Sequence, residues 1–347
     1  MSNRHLDTTQ LAPPATAPVA NAPAAAGMPP VLRLLASGAA LTGPALARRL
    51  DISRAAVWKQ IETLRHAGLE IASEARGYRL ERPLDLFEVA QVRGALPAAV
   101  RRRVGAIESH WRLDSTSSEL ARRAADLPDL SFVFADWQDA GRGRRGRQWC
   151  SPPATNLQFS CLKRFAGGYA ELSGLSLAVG VAAARALEDR GVRGVCLKWP
   201  NDLVHGDAKL GGILVELAGE FMGPSRAIIG IGINLHLPES TRRMLDRPST
   251  DLARLCGGAA PSRSELAAAL VARLTAALDG FADTGFGPFG AAWAERDALA
   301  GRPVRVDDAR GEIRGIAEGV DARGALQVRT PEGLRSIESG EVSVRPL

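Results

Sequence analysis

The seven residues Gly141 to Arg147, GRGRRGR, are the part of this chain best suited to chemistry. Arg142, Arg144, Arg145 and Arg147 bring four guanidinium groups with fork-shaped donor sets. Gly141, Gly143 and Gly146 lift the steric bar to positive φ, so backbone N–H groups can turn inward. Such a loop suits wrapping a small polyanion. The run also fits G-x-G-x-x-G behind the strand-like Phe132-Val133-Phe134, but a dinucleotide loop must open a helix. Pro152-Pro153 follow closely and forbid one, and arginines between the glycines would crowd a pyrophosphate. Taken alone, the loop reads equally as a solvated basic turn or a contact for nucleic-acid phosphate.

Three further clusters weigh against that bland reading. In Lys198-Trp199-Pro200-Asn201-Asp202, Pro200 is expected to stop a strand, and Asn201-Asp202 to turn with side chains aimed at a ligand. Lys209 stands at the edge of another strand, where Gly211-Gly212 allow a ligand close to the backbone. Gly230-Ile231-Gly232-Ile233-Asn234 again pairs small residues with a polar end. One such cluster is an ordinary strand terminus; three, with the arginine loop, indicate a shared anionic ligand. Lys198, Lys209 and the arginines would stabilise charge on an α-phosphate as a carboxylate attacks it. Mg²⁺ is expected to bridge the phosphates. There is no G-x-x-x-x-G-K-[ST] loop and no Ser-His-Asp arrangement, and His205 and His236 read as surface or core residues.

The 347 residues suffice for two or three domains. Hydrophobic residues make up 46% and charged residues 24%, as in ordinary soluble domains. No stretch has the apolar length of a membrane span, so no membrane partner is expected. Cys150, Cys161, Cys196 and Cys256 are widely separated and form no C-x-x-C, which fits a reducing cytoplasm and neither a disulfide framework nor a structural metal site. Residues 1–30, rich in Ala and Pro, read as a disordered tail without a secretory signal.

Residues 31–82 hold nine basic and five acidic side chains, a net charge of +4. A helix is expected from Pro30 to Ala36 and a second from Pro44 to Leu50, near Gly43. After a turn at Asp51-Ile52-Ser53, Ser53 caps a third helix from Arg54 to Ala67, stopped by Gly68. Val57, Ile61 and Leu64 share its inner face. Arg54, Trp58, Lys59 and Arg65 lie at other angles, with Glu62 on the same helix. Residues 70–80 read as two short strands, a wing. Together these form a winged helix-turn-helix, whose third helix would enter the major groove of DNA; a helical bundle binding protein is the alternative.

A linker and helix are expected from Pro83 to Arg103. Strands are then expected at 107–111, 131–137, 156–163, 194–199, 211–218 and 226–235, with helices at 170–189, 262–283 and 287–299, forming a mixed sheet with helices. From Gly301 short strands alternate with turns, a small barrel carrying eight basic and eight acidic side chains.

GRGRRGRQW, KWPNDL and KLGGILVE, in this order and spacing, resemble the biotin protein ligases over residues of about 31 to 347. With the winged helix, the chain is similar to the bifunctional ligase–repressors of that family. The resemblance implies an α+β chain. It has a tail over 1–30, a winged helix-turn-helix over 31–82, a class II synthetase-like catalytic domain over 83–298 and an SH3-like barrel over 299–347. It implies that biotin and ATP give biotinyl-5′-AMP, and that the biotinyl group passes to one lysine of the biotin carboxyl carrier protein of acetyl-CoA carboxylase. By motif position, Ser115, Thr116 and Ser117 match a biotin-contacting segment, although Ser117 stands where the family commonly has Asn. Gln138, Gly141, Arg142, Gly143 and Arg144 match biotin and adenylate contacts. Lys209 matches the lysine that meets biotin's carboxyl and the phosphate, and Lys198 a nucleotide-side lysine. Asn201, Asp202, Gly211, Gly212 and Asn234 line the same site, with Asp202 helping to deprotonate the acceptor lysine. Gly43, Ser53, Arg54, Trp58, Lys59 and Glu62 would face operator DNA of biotin biosynthesis genes. Neutralisation of the arginine loop by the adenylate would favour a homodimer. A ligand sensor without ligase activity and a lipoate ligase are the competing readings.

Overall fold

The computed structural model describes residues 27–258, 260–308, 311–340 and 342–346. Most of the expected tail therefore lies outside the described residues.

The N-terminal body is built from α1 (Pro30–Leu35), α2 (Gly43–Leu50) and α3 (Arg54–His66), followed by the antiparallel pair β1 (Ile71–Glu74) and β2 (Gly77–Leu80). Thr42 Oγ1 accepts from Ala45 N at 3.2 Å and Ser53 Oγ from Ala56 N at 3.1 Å, so each hydroxyl satisfies a helix-end donor. Asp51 adopts φ 51°, which reverses the chain between α2 and α3 in three residues. Val57, Ile61 and Leu64 are buried against Leu32, Leu35 and Leu46. Each such side chain contributes about 1.5–3 kcal/mol of apolar burial. Trp111, from the next body, completes this core. Arg65, expected to face outward, instead donates to the wing: its Nε and Nη2 reach Ile71 O at 2.9 and 2.7 Å.

Pro97 divides the expected single helix before Arg103 into α4 (Val89–Ala95) and α5 (Ala98–Arg103). The central sheet comprises β3 (Ile107–Leu113), β4 (Ser131–Gln138), β5 (Asn156–Phe165), β6 (Cys196–Lys198), β7 (Asp202–His205), β8 (Ala208–Gly219) and β9 (Ser225–Asn234). Their order is β3-β4-β5-β9-β8-β7-β6, with β3 and β4 parallel and all other neighbours antiparallel. Period-two alternation divides the faces. Leu157, Phe159, Ile229, Ile231 and Ile213 face the core with α7 (Leu175–Asp189) and α10 (Arg263–Thr284). On the other face, α6 (Thr116–Arg123) covers part of the sheet through Leu120, Val133, Leu162 and Ile228. The uncovered remainder carries Gln158, Ser160, Gly212, Gly230 and Gly232, polar or small residues that leave room above the sheet.

Two expectations in this region fail. Asp202 is not in the turn expected after the strand: Lys198 pairs with Asp202, so KWPND is a tight hairpin between β6 and β7. The expected helix 287–299 shrinks to a short turn and α11 (Gly290–Ala294), because Asp297 and Leu197 form a bridge that draws the chain back to β6. Between β9 and α10 lie α8 (Glu239–Met244) and α9 (Leu252–Leu255).

The last strands, β10 (Pro303–Asp308), β11 (Gly311–Val320), β12 (Leu326–Thr330), β13 (Gly333–Ile337) and β14 (Ser343–Pro346), form an antiparallel sheet ordered β13-β12-β11-β10-β14. Val304, Val306, Leu326 and Val328 join the central core. Trp199 Nε1 donates to Gly324 O at 3.0 Å, so the hairpin that carries Asn201 and Asp202 is clamped to this sheet.

Candidate active site

A cleft opens over the uncovered face, between the sheet and the arginine loop. At its floor, Thr116 N donates to Gln138 Oε1 at 2.8 Å, and Thr116 Oγ1 and Ser117 Oγ lie 2.8 and 2.9 Å from Ser160 Oγ. Trp149 Nε1 and Gln138 Nε2 both donate to Gln158 Oε1, at 3.2 and 3.4 Å. Gln158 Nε2 is buried without a partner, a donor that a polar ligand would satisfy. Gly230 leaves space for Ser117: a Cβ there would sit 3.0 Å from its Oγ. The floor is neutral, hydrogen-bonded and set on regular elements.

The rim is charged. Lys209 Nζ lies 2.5 Å from Asp202 Oδ1, and Arg247 Nη1 lies 2.9 Å from Asp202 Oδ2. Both carboxylate oxygens are thus taken by cations. Burial pushes the Lys209 ammonium below the usual lysine range; Asp202 opposes the shift and Arg247 adds to it. A Cβ on Gly212 would fall 2.9 Å from Lys209 Nζ, so the missing side chain makes room for the ammonium. Arg142 Nη2 pairs with Glu216 at 2.9 Å, and Arg144 reaches Asn201 Oδ1 at 3.4 Å and the carbonyls of Ser339 and Gly340. The glycines act differently from expectation. Gly146 has φ 68°, but Gly143 is extended and Arg145 itself takes φ 58°. Gly141 serves close approach, since a Cβ there would lie 2.7 Å from Trp149 O.

Among the expected ligand residues, Ser115, Thr116, Ser117, Gln138, Arg142, Gly143, Arg144, Asn201, Asp202, Lys209 and Gly212 line this one cleft. Gly211 does not: it faces Gly232 O and Leu203 on the sheet's other side. Gly141 and Asn234 stand behind the wall, and Asn234 Nδ2 donates to Thr250 O at 3.0 Å and Lys209 O at 3.4 Å. Lys198 lines an adjoining cavity with Asp207 and Arg302, and burial lowers its ammonium pKa. Sequence reasoning missed Gln158, Ser160 and Arg247. Alternation along β5 points to the first two; no motif marks Arg247.

In the N-terminal body, Gly43, Arg54 and Trp58 line a groove between α2, α3 and the wing. Trp58 is 57% exposed, too much for a core residue, and Lys59 is exposed beside it. Ser53 is occupied as a cap and Glu62 pairs with Arg65 at 2.8 Å.

Three family models match the chain: HTH domain over residues 31–79, Biotin/lipoate A/B protein ligase family over 111–234, and Biotin protein ligase C terminal domain over 300–345. The chain is 36% identical over 316 residues to the bifunctional ligase/repressor BirA of Escherichia coli, covering 91% of this chain and 96% of that protein. It is 34% identical over 237 residues to the biotin–[acetyl-CoA-carboxylase] ligase of Paracoccus denitrificans, covering 67% and 97%. Among solved structures, the Aquifex aeolicus biotin protein ligase in complex with biotin and ATP matches with a TM-score of 0.60 at 29% identity, over 70% of this chain and 99% of that one. A neutral polar floor, a desolvated lysine and an arginine loop thus occur on a chain that belongs to the biotin protein ligase family.

Proposed function

We propose that the chain makes biotinyl-5′-AMP from biotin and ATP, and passes the biotinyl group to a lysine of the biotin carboxyl carrier protein of acetyl-CoA carboxylase. The observation that carries this reading is Lys209, desolvated at the seam between the neutral floor and the arginine loop. A biotin carboxylate oxygen placed there attacks the α-phosphorus of ATP, and pyrophosphate leaves. Lys209, Arg142 and Arg144 offset the charge that builds on the phosphate oxygens, a preorganised electrostatic contribution. A neutral amine of the carrier lysine then attacks the acyl carbon, AMP leaves, and a base takes the amine's proton. Asp202 fills that role in this reading once the ligand draws away one of its two cations. Mg²⁺ belongs to this reading as an ion carried by the triphosphate. Among the described residues no group of three or more His, Cys, Asp or Glu side chains is placed to hold a metal ion, and no step is routed through one.

The floor favours biotin over lipoate. Gln158 Nε2 is buried there without a partner; the carbonyl of a cyclic urea would accept from it, whereas a dithiolane ring would leave it unpaired at about 1–3 kcal/mol. Radiolabelled biotin, ATP and carrier domain, with lipoate in parallel, test the reading; label on the carrier from lipoate alone would overturn it.

The same proposal divides the chain at 31–82, 83–298 and 299–347. It places Arg54, Trp58 and Lys59 on operator DNA of biotin biosynthesis genes, with the adenylate-ordered loop favouring a homodimer on a two-fold site. Occupancy of that promoter with and without biotin, and dimerisation constants with and without biotinyl-AMP, are the tests. Equal values in both conditions would remove the regulatory half and leave the ligase. No helix among the described residues is long and apolar enough to cross a membrane.

A further inference from the structure

Arg247 lies outside residues 111–234, the stretch that matches the ligase family model, and outside every motif singled out in the sequence. Its backbone is nevertheless tied to the centre of the site. Lys209 N donates to Pro248 O at 2.9 Å, Thr250 N donates to Lys209 O at 2.9 Å, and Ser249 bridges Lys209 in parallel register. The segment is held from its far side as well: Arg242 Nη1 donates to Ser249 O at 2.7 Å and Asn234 Nδ2 to Thr250 O at 3.0 Å. Residues 248–250 are therefore stitched to Lys209 through a bridge at Ser249, which anchors the chain directly after Arg247.

The side chain stands at a junction. Arg247 and Asp202 line the cleft described above and also the adjoining cavity toward β14, which carries Lys198, Arg302 and Arg345. Arg247 Nη1 is spent on Asp202 Oδ2, and the Asp246 carboxylate lies 3.9 Å from Nε, beyond hydrogen-bond reach. The side chain is 37% exposed, so its guanidinium is accessible from the cavity. The adjoining cavity is cationic: six lysine and arginine side chains line it against Asp202, Asp207 and Asp246, and Asp207 is already paired with Arg302 at 2.8 Å and Asp202 with Lys209 and Arg247. A chain of phosphates running out of the cleft would pass Arg247.

We propose that Arg247 binds the phosphate chain of the nucleotide where it leaves the cleft. The inference rests on the ligase reading above. A fork of charged donors on a polyphosphate gives strong, directional bonds, and removal of one such contact costs about tenfold or more in affinity. The floor that holds the vitamin ring lies away from Arg247, so the two substrates respond differently to its loss.

The test uses the full chain. Arg247→Ala keeps the backbone stitch to Lys209, and Arg247→Lys keeps the charge without the fork. Initial rates of pyrophosphate release give KM for ATP and for biotin separately, and transfer from preformed biotinyl-AMP to carrier domain is measured alongside. The expected result is an ATP KM raised about tenfold in the alanine variant, a biotin KM changed less than threefold, near-normal transfer from the preformed adenylate, and partial recovery of the ATP KM with lysine. An ATP KM within twofold of the parent protein overturns the proposal. So does an equal rise in both KM values, which would make Arg247 a general support of the Asp202–Lys209 pair. If the parent protein itself releases no pyrophosphate from biotin and ATP, the ligase reading fails instead.

Discussion

At the floor of the cleft Thr116, Ser117, Gln138, Gln158 and Ser160 interlock through neutral hydrogen bonds, whereas at the rim Lys209, Asp202, Arg247, Arg142 and Glu216 pair by charge. The floor residues sit on β4, β5 and the start of α6, elements fixed by the core beneath them. At the rim Lys209 and Glu216 stand on β8 and Asp202 opens β7, while Arg142 comes from the arginine loop and Arg247 from the segment after α8. Neutral groups on rigid elements recognise shape and donor pattern at little reorganisation cost. Charged pairs hold each other's charge until an anion exchanges into them. The two ends of the site should therefore fail in different ways when altered.

The largest effect is expected from Lys209→Ala. Removing a single preorganised donor to a developing oxyanion costs about 10²–10³ in rate, and this group is also the cation nearest the seam. Pyrophosphate release should fall by about that factor, with transfer from added biotinyl-AMP less affected. Equal loss in both half-reactions would remove the distinction between rim and floor. Gly230→Val attacks the floor. Its Cβ would lie 3.0 Å from Ser117 Oγ and 3.5 Å from Ser160 Oγ, so the added methyls invade the space above the sheet. Valine is a good strand residue, so β9 should persist while biotin affinity drops by about 100-fold, roughly 3 kcal/mol of overpacking. Calorimetric titration with biotin measures it, and an ATP KM that rises as much would count against a divided site.

The pH dependence separates the two ends further. The Lys209 ammonium titrates below the ordinary lysine range because it is buried, and the neighbouring Asp202 carboxylate holds it up. Adenylation needs the cation, so its rate should be full on the acid side of that depressed pKa and fall as pH rises through it. Asp202→Asn removes the opposing charge, and the alkaline limb for pyrophosphate release should move to lower pH. Binding of biotinol, whose ring meets the floor but which lacks the carboxylate that meets Lys209, should not follow it. A limb that stays in place in Asp202→Asn would mean that another group sets it.

The floor and the rim also differed in how legible they were. GRGRRGR, Lys209 and the serines at 115 and 117 announce themselves through unusual composition or motif, and the cap at Ser53 and the apolar stripe of α3 fix the N-terminal body from local chemistry. Gln158 and Ser160 sit in a strand that reads only as apolar alternation, and their function emerges when β9 supplies Gly230 and Gly232 beside them. Arg247 gains its place from the backbone bridge between Lys209 and Ser249, 40 positions apart in the chain, a pairing that no local pattern encodes. The hairpin at Asp202 is hidden because proline and asparagine read as a strand end, whereas the turn is Trp199-Pro200-Asn201 and Asp202 already pairs with Lys198.

The smallest expected effect is also the sharpest probe of the floor. Ser117 occupies the position where its family commonly carries asparagine, and its hydroxyl lies 2.9 Å from Ser160 Oγ, which Thr116 Oγ1 also approaches at 2.8 Å. Ser117→Ala removes one link while leaving Thr116 to partner Ser160. The net value of such a neutral bond is about 1 kcal/mol, so biotin affinity should fall about fivefold, with no change in ATP KM or in the pH limb. Ser117→Asn restores a longer donor and acceptor but must fit beneath Gly230, whose missing side chain leaves little more than the serine needs. If asparagine binds biotin as well as serine does, the serine is a tolerated replacement. If it binds worse than alanine, the shorter residue and Gly230 are matched to each other, and the floor is tuned by volume as well as by hydrogen bonding.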